Sequence, residues 1–298
     1  MIDINGVTKR FEKTVALDSM ELHIGEGTVL GLVGSNGGGK STLLRLLAGV
    51  YRCDGGEVLI DGESVSDNPN AKGKCFYIPD FPFFYSYSTL ENTAALYRRL
   101  YPNWSDDTYE SCCTRFPIDR KQRIMTMSKG MQRQAALIIA LSTCPRFLFL
   151  DEIFDGLDPV IRLVLKQILM DRVASENMTV VIASHNLREL EDVCDRVCLI
   201  HHGKALLDRS LDALRQDYGK VQIGFTEPPA DGFLKTLPVV ACMRNGNVFN
   251  LTLKGSEEEY MPILSALEPA FLSAMPLTLE EVFISEMEAA GYDTNNIR

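Results

Sequence analysis

The chain has 298 residues, 46% of them hydrophobic, and a formal net charge of −10. That length suits a main domain with a smaller one beside it, and the acidic balance argues against a general nucleic-acid binder, whose phosphate contacts need basic surface. No apolar run approaches the ~20 residues of a membrane-spanning helix, the start MIDINGVTKRF lacks a signal-peptide layout, and the eight cysteines form no CxxC pair, so a cytosolic chain with reduced thiols and no zinc site is expected.

In chain order, MIDINGVTKRF and ALDSMELHIGEG alternate in the manner of strands, with Gly6, Gly25 and Gly27 as punctuation. TVLGLVG is apolar on both parities and predicts a strand buried on both faces. The run GSNGGGKST, residues 34–42, comes next. KSTLLRLLAGV then carries Leu43, Leu44, Leu46, Leu47 and Val50 at helical spacing. GGEVLIDGESV reads as a hairpin with a DG turn. From Tyr85 to about Ser142 the pattern is helical, clearest in TLENTAALYRRLY and GMQRQAALIIALS. RFLFLDE and TVVIASH are again two-sided apolar strands, and PVIRLVLKQILMDRVAS between them is a helix started by Pro159. VCLIHHGKALLD reads as a last hairpin. Strands alternating with helices predict an α/β fold around a mainly parallel sheet.

After about residue 218 the texture changes. KVQIGF, VVACMRNG and VFNLTLKG read as strands, EEEYMPILSAL and TLEEVFISEMEAA as helices, and TEPPADG as a loop. A boundary is expected near 208–219, with RSLDALRQDYG as a linking helix. The remainder, 219–298, is then a small C-terminal α+β domain of a size that can fold alone.

The glycines of residues 34–42 have a chemical use. A loop that wraps a phosphate chain must point successive backbone N–H groups inward, where side chains collide. Gly34, Gly37, Gly38 and Gly39 meet that demand, with Ser35 and Asn36 between them. The helix beginning near Ser41 adds free N–H groups and its positive dipole end. Lys40 is placed to reach terminal phosphates, and the Ser41 hydroxyl, followed by Thr42, to ligate Mg²⁺. The bland alternative is a glycine-rich turn with an incidental lysine. FLFLDE ends a buried strand with two carboxylates: Asp151 suits a magnesium ligand, and Glu152 suits a base or orienter for an attacking water. An acidic loop after a strand is the alternative there. His185, just past another strand, is either a contact to a γ-phosphate or a hydrogen-bonded structural histidine.

MSKGMQRQ at 127–134 precedes the LFLDE strand, and GLDP at 156–159 follows it. With the glycine loop and His185, this order resembles the ATP-binding subunits of ABC transporters over about residues 1–208. The resemblance implies a P-loop NTPase ABC ATPase domain over 1–208: a mainly parallel sheet core, an antiparallel β subdomain and an α-helical subdomain at about 81–145. It implies ATP and Mg²⁺ as ligands, ATP hydrolysis, and a head-to-tail dimer with a second nucleotide-binding subunit, the same chain or a related one. Ser128, Lys129, Gly130 and Met131 then form the signature that caps the partner's ATP, Asp158 lies at that interface, and Phe11 sits where the family stacks an aromatic ring on adenine; a core aromatic on a strand edge is the alternative for Phe11. Asp80, in FYIPDF, stands where the family usually carries glutamine, and as a carboxylate it is a candidate Mg²⁺ ligand. Lys129 replaces a glycine, Met131 a glutamine and Ile153 a proline.

LYPNWSDDTYESCCTRFPID, MSKGMQRQAALIIALSTCP and the ending PLTLEEVFISEM look like the ATPases of bacterial ABC-2 type exporters, especially those encoded beside GntR-type regulators. That implies a separate transmembrane permease, a peripheral position on the inner face of the cell membrane, and no nucleic-acid partner. The aromatic stretch FPFFYSYSTLEN is either a local core or a socket for a permease helix. Two other functions stay open: a soluble ABC ATPase acting on ribosomes or DNA, and a regulatory subunit that binds ATP with little turnover.

Overall fold

The computed structural model describes residues 1–227 and 232–289. The chain divides into two units, Met1–Ala205 and Leu206–Arg298.

The first unit opens with β1 (Ile2–Phe11) and β2 (Thr14–Ile24), continues through β3 (Val29–Val33) into α1 (Lys40–Leu47), and adds β4 (Gly55–Ile60), β5 (Glu63–Ser64), α2 (Pro69–Gly73) and β6 (Cys75–Ile78). Helices α3 (Leu90–Leu100), α4 (Asp106–Arg115) and α5 (Lys129–Ser142) follow. Then come β7 (Phe147–Asp151), α6 (Pro159–Glu176), β8 (Thr179–Ala183), α7 (Leu187–Glu191) and β9 (Arg196–His201). The chain passes to the second unit within β10 (Lys204–Ser210).

Two sheets form. One is antiparallel, in the order β2-β1-β4-β5. The other has the order β10-β9-β3-β8-β7-β6, and β9, β3, β8, β7 and β6 in it run parallel. Every residue of β3, β7 and β8 is buried, as a parallel sheet covered on both faces requires. The core joins Ile4, Val58 and Ile60 of the antiparallel sheet to Leu43, Leu44, Leu46 and Leu47 of α1 and to Phe147 and Phe149 of β7. Each such side chain contributes roughly 1.5–3 kcal/mol by leaving water. Val50, grouped with those leucines by spacing, is exposed because α1 has already ended.

Gly6 does not end a strand. It lies inside β1 with a positive φ of 58°, at a register shift between Ile4 and Val7. The DG turn is present: Asp61 and Gly62 both have positive φ and join β4 to β5. Asp158 caps α6 through its carboxylate, and Pro159 occupies the first turn, where its missing N–H costs nothing. In α5, Arg133 to Ser142 are buried without interruption, so AALIIAL is an interior helix.

Of the five aromatics that follow β6, Phe84 is half-buried and the other four lie outside any core. Phe81, Phe83, Tyr85 and Tyr87 are 73%, 80%, 69% and 75% exposed. Among the described residues no helix is long and apolar enough to cross a membrane.

In the second unit, α8 (Leu211–Asp217) runs into β11 (Tyr218–Gly224), so the segment read as a linking helix falls inside this unit. Then come β12 (Val239–Asn245), β13 (Val248–Lys254), α9 (Glu257–Ser265), β14 (Phe271–Met275) and α10 (Leu279–Ala289). The sheet order β12-β13-β11-β14, antiparallel throughout, is that of the split β-α-β arrangement. Val221, Ile223, Phe249, Leu251 and Leu253 pack with Tyr260 and Leu264 of α9, which a Ser256–Glu259 capping box starts. Of the predicted TEPPADG loop, residues 228–231 lie outside the described residues.

Candidate active site

The register of the parallel sheet brings separate chain segments to one edge. Leu32 of β3 and Asp151 of β7 both pair with Ala183 of β8. The glycine loop, Glu152 and His185 therefore leave the sheet side by side, at the carboxyl ends of the strands, where open α/β sheets bind ligands.

Gly34 holds the loop against the next strand. Its φ is 150°, and a Cβ there would lie 2.0 Å from the carbonyl oxygen of Ile200, so a side chain would push the loop off β9. Gly38 donates its N–H back to Ser35 O at 3.0 Å. Asn36 and Gly37 are exposed at the tip, and Ser35 and Thr42 are half-buried. Helix α1 starts behind Gly39 with no side-chain cap and no acidic residue in its first turn, which leaves free N–H donors and a positive dipole end at the loop. Lys40 is only 6% exposed, and its ammonium donates to Gly34 O at 2.7 Å and Ser35 O at 3.2 Å. Burial lowers its pKa, opposed by the charges of Glu152 and Asp151.

Asp151, 2% exposed, accepts from Ser41 Oγ at 3.0 Å through Oδ1 and from the Tyr77 hydroxyl at 3.2 Å through Oδ2. Burial raises its pKa against those two hydrogen bonds. Burial also raises the Tyr77 phenol, which therefore stays a donor. Glu152 has left-handed backbone, φ 49°, and its N–H bonds to Ala183 O at 2.9 Å. Glu152 Oε2 accepts from the His185 backbone N–H at 3.2 Å and from His185 Nδ1 at 2.8 Å. That hydrogen bond, ahead of the nearby charges of Glu152, Asp155 and Glu189, holds the His185 imidazole above its ordinary pKa despite some burial. One ligand atom from each of Glu152, Asp155 and His185 lies within 4.8 Å of the others.

The family described as ABC transporter matches residues 17–155. The uncharacterized ABC transporter ATP-binding protein YdbJ of Bacillus subtilis (strain 168) is 30% identical over 228 residues, 75% of this chain and 73% of that protein. This chain belongs to the ABC transporter ATP-binding proteins. The ABC transporter ATP-binding protein YtrB of the same organism is 28% identical and aligns with 96% of this chain and 98% of its own length. The Nod factor export ATP-binding protein I of Rhizobium sp. (strain N33) is 28% identical over 74% of this chain and 75% of its own. A solved cassette described as the dimeric structure of MJ0796, a bacterial ABC transporter cassette, has the same fold, with TM-score 0.61 and 21% identity over 71% of this chain and 99% of that one.

In this ABC transporter ATP-binding protein the residues expected to form the signature open α5. Ser128 is its N-cap, with Oγ accepting from Met131 N–H at 3.3 Å. The Lys129 ammonium lies over the Phe81 ring, 5.9 Å from its centroid. Gly130 packs on the loop after β7: a Cβ there would stand 2.4 Å from Gly156 O. Asp158 spends Oδ1 on the N–H groups of Val160 and Ile161. Phe11 is 39% exposed, edge-on to Tyr51 at 5.4 Å and beneath the Lys9 ammonium, so it is not a core aromatic. Asp80 differs from its expected surroundings. Its Oδ1 accepts from Arg133 Nη2 at 2.5 Å, a buried cation that holds the carboxylate in an ion pair. Tyr77, Arg133 and Asp155 were not candidates by sequence. Tyr77 and Arg133 reach the site through partners distant in the chain, whereas Asp155 stands three residues after Glu152 in the same loop.

Proposed function

We propose that this subunit is the ATP-hydrolysing motor of an exporter and works as a nucleotide-sandwich dimer beside a separate ABC-2 type permease. The observation that carries the reading is the buried Lys40 at the uncapped start of α1, one residue before the Ser41 that bonds Asp151. A polyphosphate is the ligand that such a loop, cation and helix end fit together.

In this reading residues 34–42 wrap the phosphates of ATP, and Lys40 exchanges the carbonyls of Gly34 and Ser35 for phosphate oxygens. Phe11, an accessible ring at the end of β1, stacks on adenine. The Ser41 hydroxyl and Asp151 carboxylate are hard oxygen donors in contact, the donor type that Mg²⁺ takes. The ion neutralises phosphate charge when bound. Asp80 is left out of that set because Arg133 holds its carboxylate. Glu152 orients the attacking water and accepts its proton, and His185 fixes the Glu152 carboxylate through Nδ1. Ser128 and Gly130 face the nucleotide of the neighbouring subunit, with Lys129, Met131 and Asp158 beside that interface.

Export is supported by the name of the Nod factor relative and by the ABC-2 resemblance. The exposed ring series Phe81, Phe83, Tyr85 and Tyr87, with exposed Leu96 and Leu100 on α3, is apolar surface that suits a permease helix. The subunit then sits on the inner face of the membrane through that permease. Residues 1–208 act as the ATPase domain, with 81–145 as its helical part, and 219–298 as an accessory domain.

The test is steady-state hydrolysis and nucleotide binding with Mg²⁺. Lys40→Ala should lose most ATP affinity, and Glu152→Gln should keep binding while losing turnover. Equal turnover in wild type and Glu152→Gln would remove the motor reading, and unchanged binding in Lys40→Ala would remove the phosphate site.

A further inference from the structure

Arg133 sits on α5, one helical turn past Gly130, and is 7% exposed. Its guanidinium joins distant parts of the chain. Nη1 donates to the backbone carbonyl of Asp155, in the loop that carries Glu152. Nη2 donates to the backbone carbonyl of Asp80 at 3.1 Å and to the Asp80 carboxylate at 2.5 Å. A buried guanidinium needs such partners, because an unpaired charge away from water is costly. The planar fork of arginine serves two segments at once, which a lysine ammonium does not reproduce.

The same loop meets α5 a second time. Gly130 comes so close to Gly156 O that a Cβ there would sit 2.4 Å away. Asp155 N–H in turn bonds Glu152 O at 3.2 Å. The loop of residues 152–158 is therefore fixed to the first turns of α5 at Gly130 and at Arg133. Ser128, the cap of that helix, sits immediately ahead of both.

We propose that Asp80 and Arg133 form a positioning clamp, through which the signature helix α5 holds the loop of Glu152 in register, and that Asp80 acts through Arg133 and not as a metal ligand. The inference rests on the proposed ATPase reading for its kinetic arm only. It also gives the departure at position 80 a reason. A glutamine there would leave the Arg133 charge uncompensated, whereas aspartate neutralises it. Displacement of Ser128 then passes along α5 to the Glu152 loop through a charged joint.

The experiment compares wild type with Asp80→Asn, Arg133→Gln, Arg133→Lys and the double variant Asp80→Asn/Arg133→Gln in the full chain. Two readouts are taken: ATPase kinetics with Mg²⁺ titration, and amide hydrogen exchange over residues 152–158. Asp80→Asn and Arg133→Gln should each lower kcat by about ten- to a hundredfold, the size of a small misplacement of a reacting group. KM for ATP and the Mg²⁺ requirement should stay within about twofold of wild type, because no binding contact is removed. The double variant should be no worse than either single one, and Arg133→Lys should fall between. Faster exchange across 152–158 should accompany the loss in all of them.

A raised Mg²⁺ requirement in Asp80→Asn with normal Arg133 variants would overturn the clamp and restore Asp80 as a metal ligand. Additive losses, or unchanged exchange over 152–158, would overturn it as well. Should a neutral variant fail to fold, Arg133→Lys keeps the charge and carries the same comparison. A wild-type chain without hydrolysis would count against the ATPase reading, and the exchange data would still decide the clamp.

Discussion

Ser41 Oγ and Asp151 Oδ1 stand 3.0 Å apart, although 110 positions separate them in the chain. The first turn of α1 and the last residue of β7 thus share one oxygen-lined contact, which the strand register makes possible. Asp151→Asn leaves the Ser41 hydroxyl a partner but removes the charge. We expect Mg²⁺-dependent nucleotide binding to weaken at least about tenfold, the loss of about 1.4 kcal/mol. Isothermal titration with and without Mg²⁺ measures it; equal affinities would separate Asp151 from the metal.

Tyr77→Phe removes the donor to Asp151 Oδ2. A hydrogen bond to a charged group contributes about 1.5–3 kcal/mol, and half-burial of Tyr77 places the loss toward the lower figure. Chemical denaturation should show it as a lower midpoint with an unchanged slope. A midpoint equal to that of wild type would mean that the contact contributes nothing.

His185 is predicted to titrate above its ordinary value of 6.5. A basic group with a raised folded pKa stabilises the fold fully below the unfolded value. That contribution disappears as pH rises through the folded value. Stability should therefore decline from pH 6.5 upward in wild type, modestly, because the imidazole is 54% exposed and screened by solvent. In Glu152→Gln the His185 pKa should move back down and that part of the slope should vanish. Following the imidazole resonances by NMR against pH checks both; an identical titration in the two proteins contradicts the pairing.

Gly34→Ala places a Cβ 2.0 Å from Ile200 O at a φ of 150°. Overpacking and backbone strain together should cost about 2–4 kcal/mol and distort the loop. Thermal unfolding and nucleotide affinity should fall together. Stability lost with affinity intact would show that the loop tolerates displacement from β9.

Replacing Phe81, Phe83, Tyr85 and Tyr87 by serine should leave folding and ATP affinity unchanged, since the rings are exposed. Co-purification with a transmembrane permease should be lost. Retention of the complex would move the docking surface elsewhere.

The glycine loop, the two-sided strands and the carboxylates at the end of β7 were readable because their chemistry is local: backbone donors, a cation and a hydroxyl in successive residues. The hairpin at Asp61–Gly62 and the helix start at Pro159 were equally local, since the turn or first-turn residue carries its own geometry. Strand β6, only Cys75–Ile78, was too short to rise above its surroundings. Strand β14 has an edge position and a mixed burial pattern, so its apolar signal is weak. Asp80 was legible as a departure but not in its use. Its partner Arg133 lies 53 positions away on a helix whose apolar spacing hides a buried charge. Tyr77 was hidden for the same reason, because its hydroxyl meets Asp151 across neighbouring strands.

The alignment of Leu32, Asp151 and Ala183 sets a ruler for change in this protein. A strand advances about 3.3 Å per residue and alternates its faces. Losing a single residue from β8 would carry His185 farther than the 2.8 Å bond that joins it to Glu152 and would turn it to the opposite side. Descendants of this sequence can exchange side chains along those strands, but their lengths are frozen together.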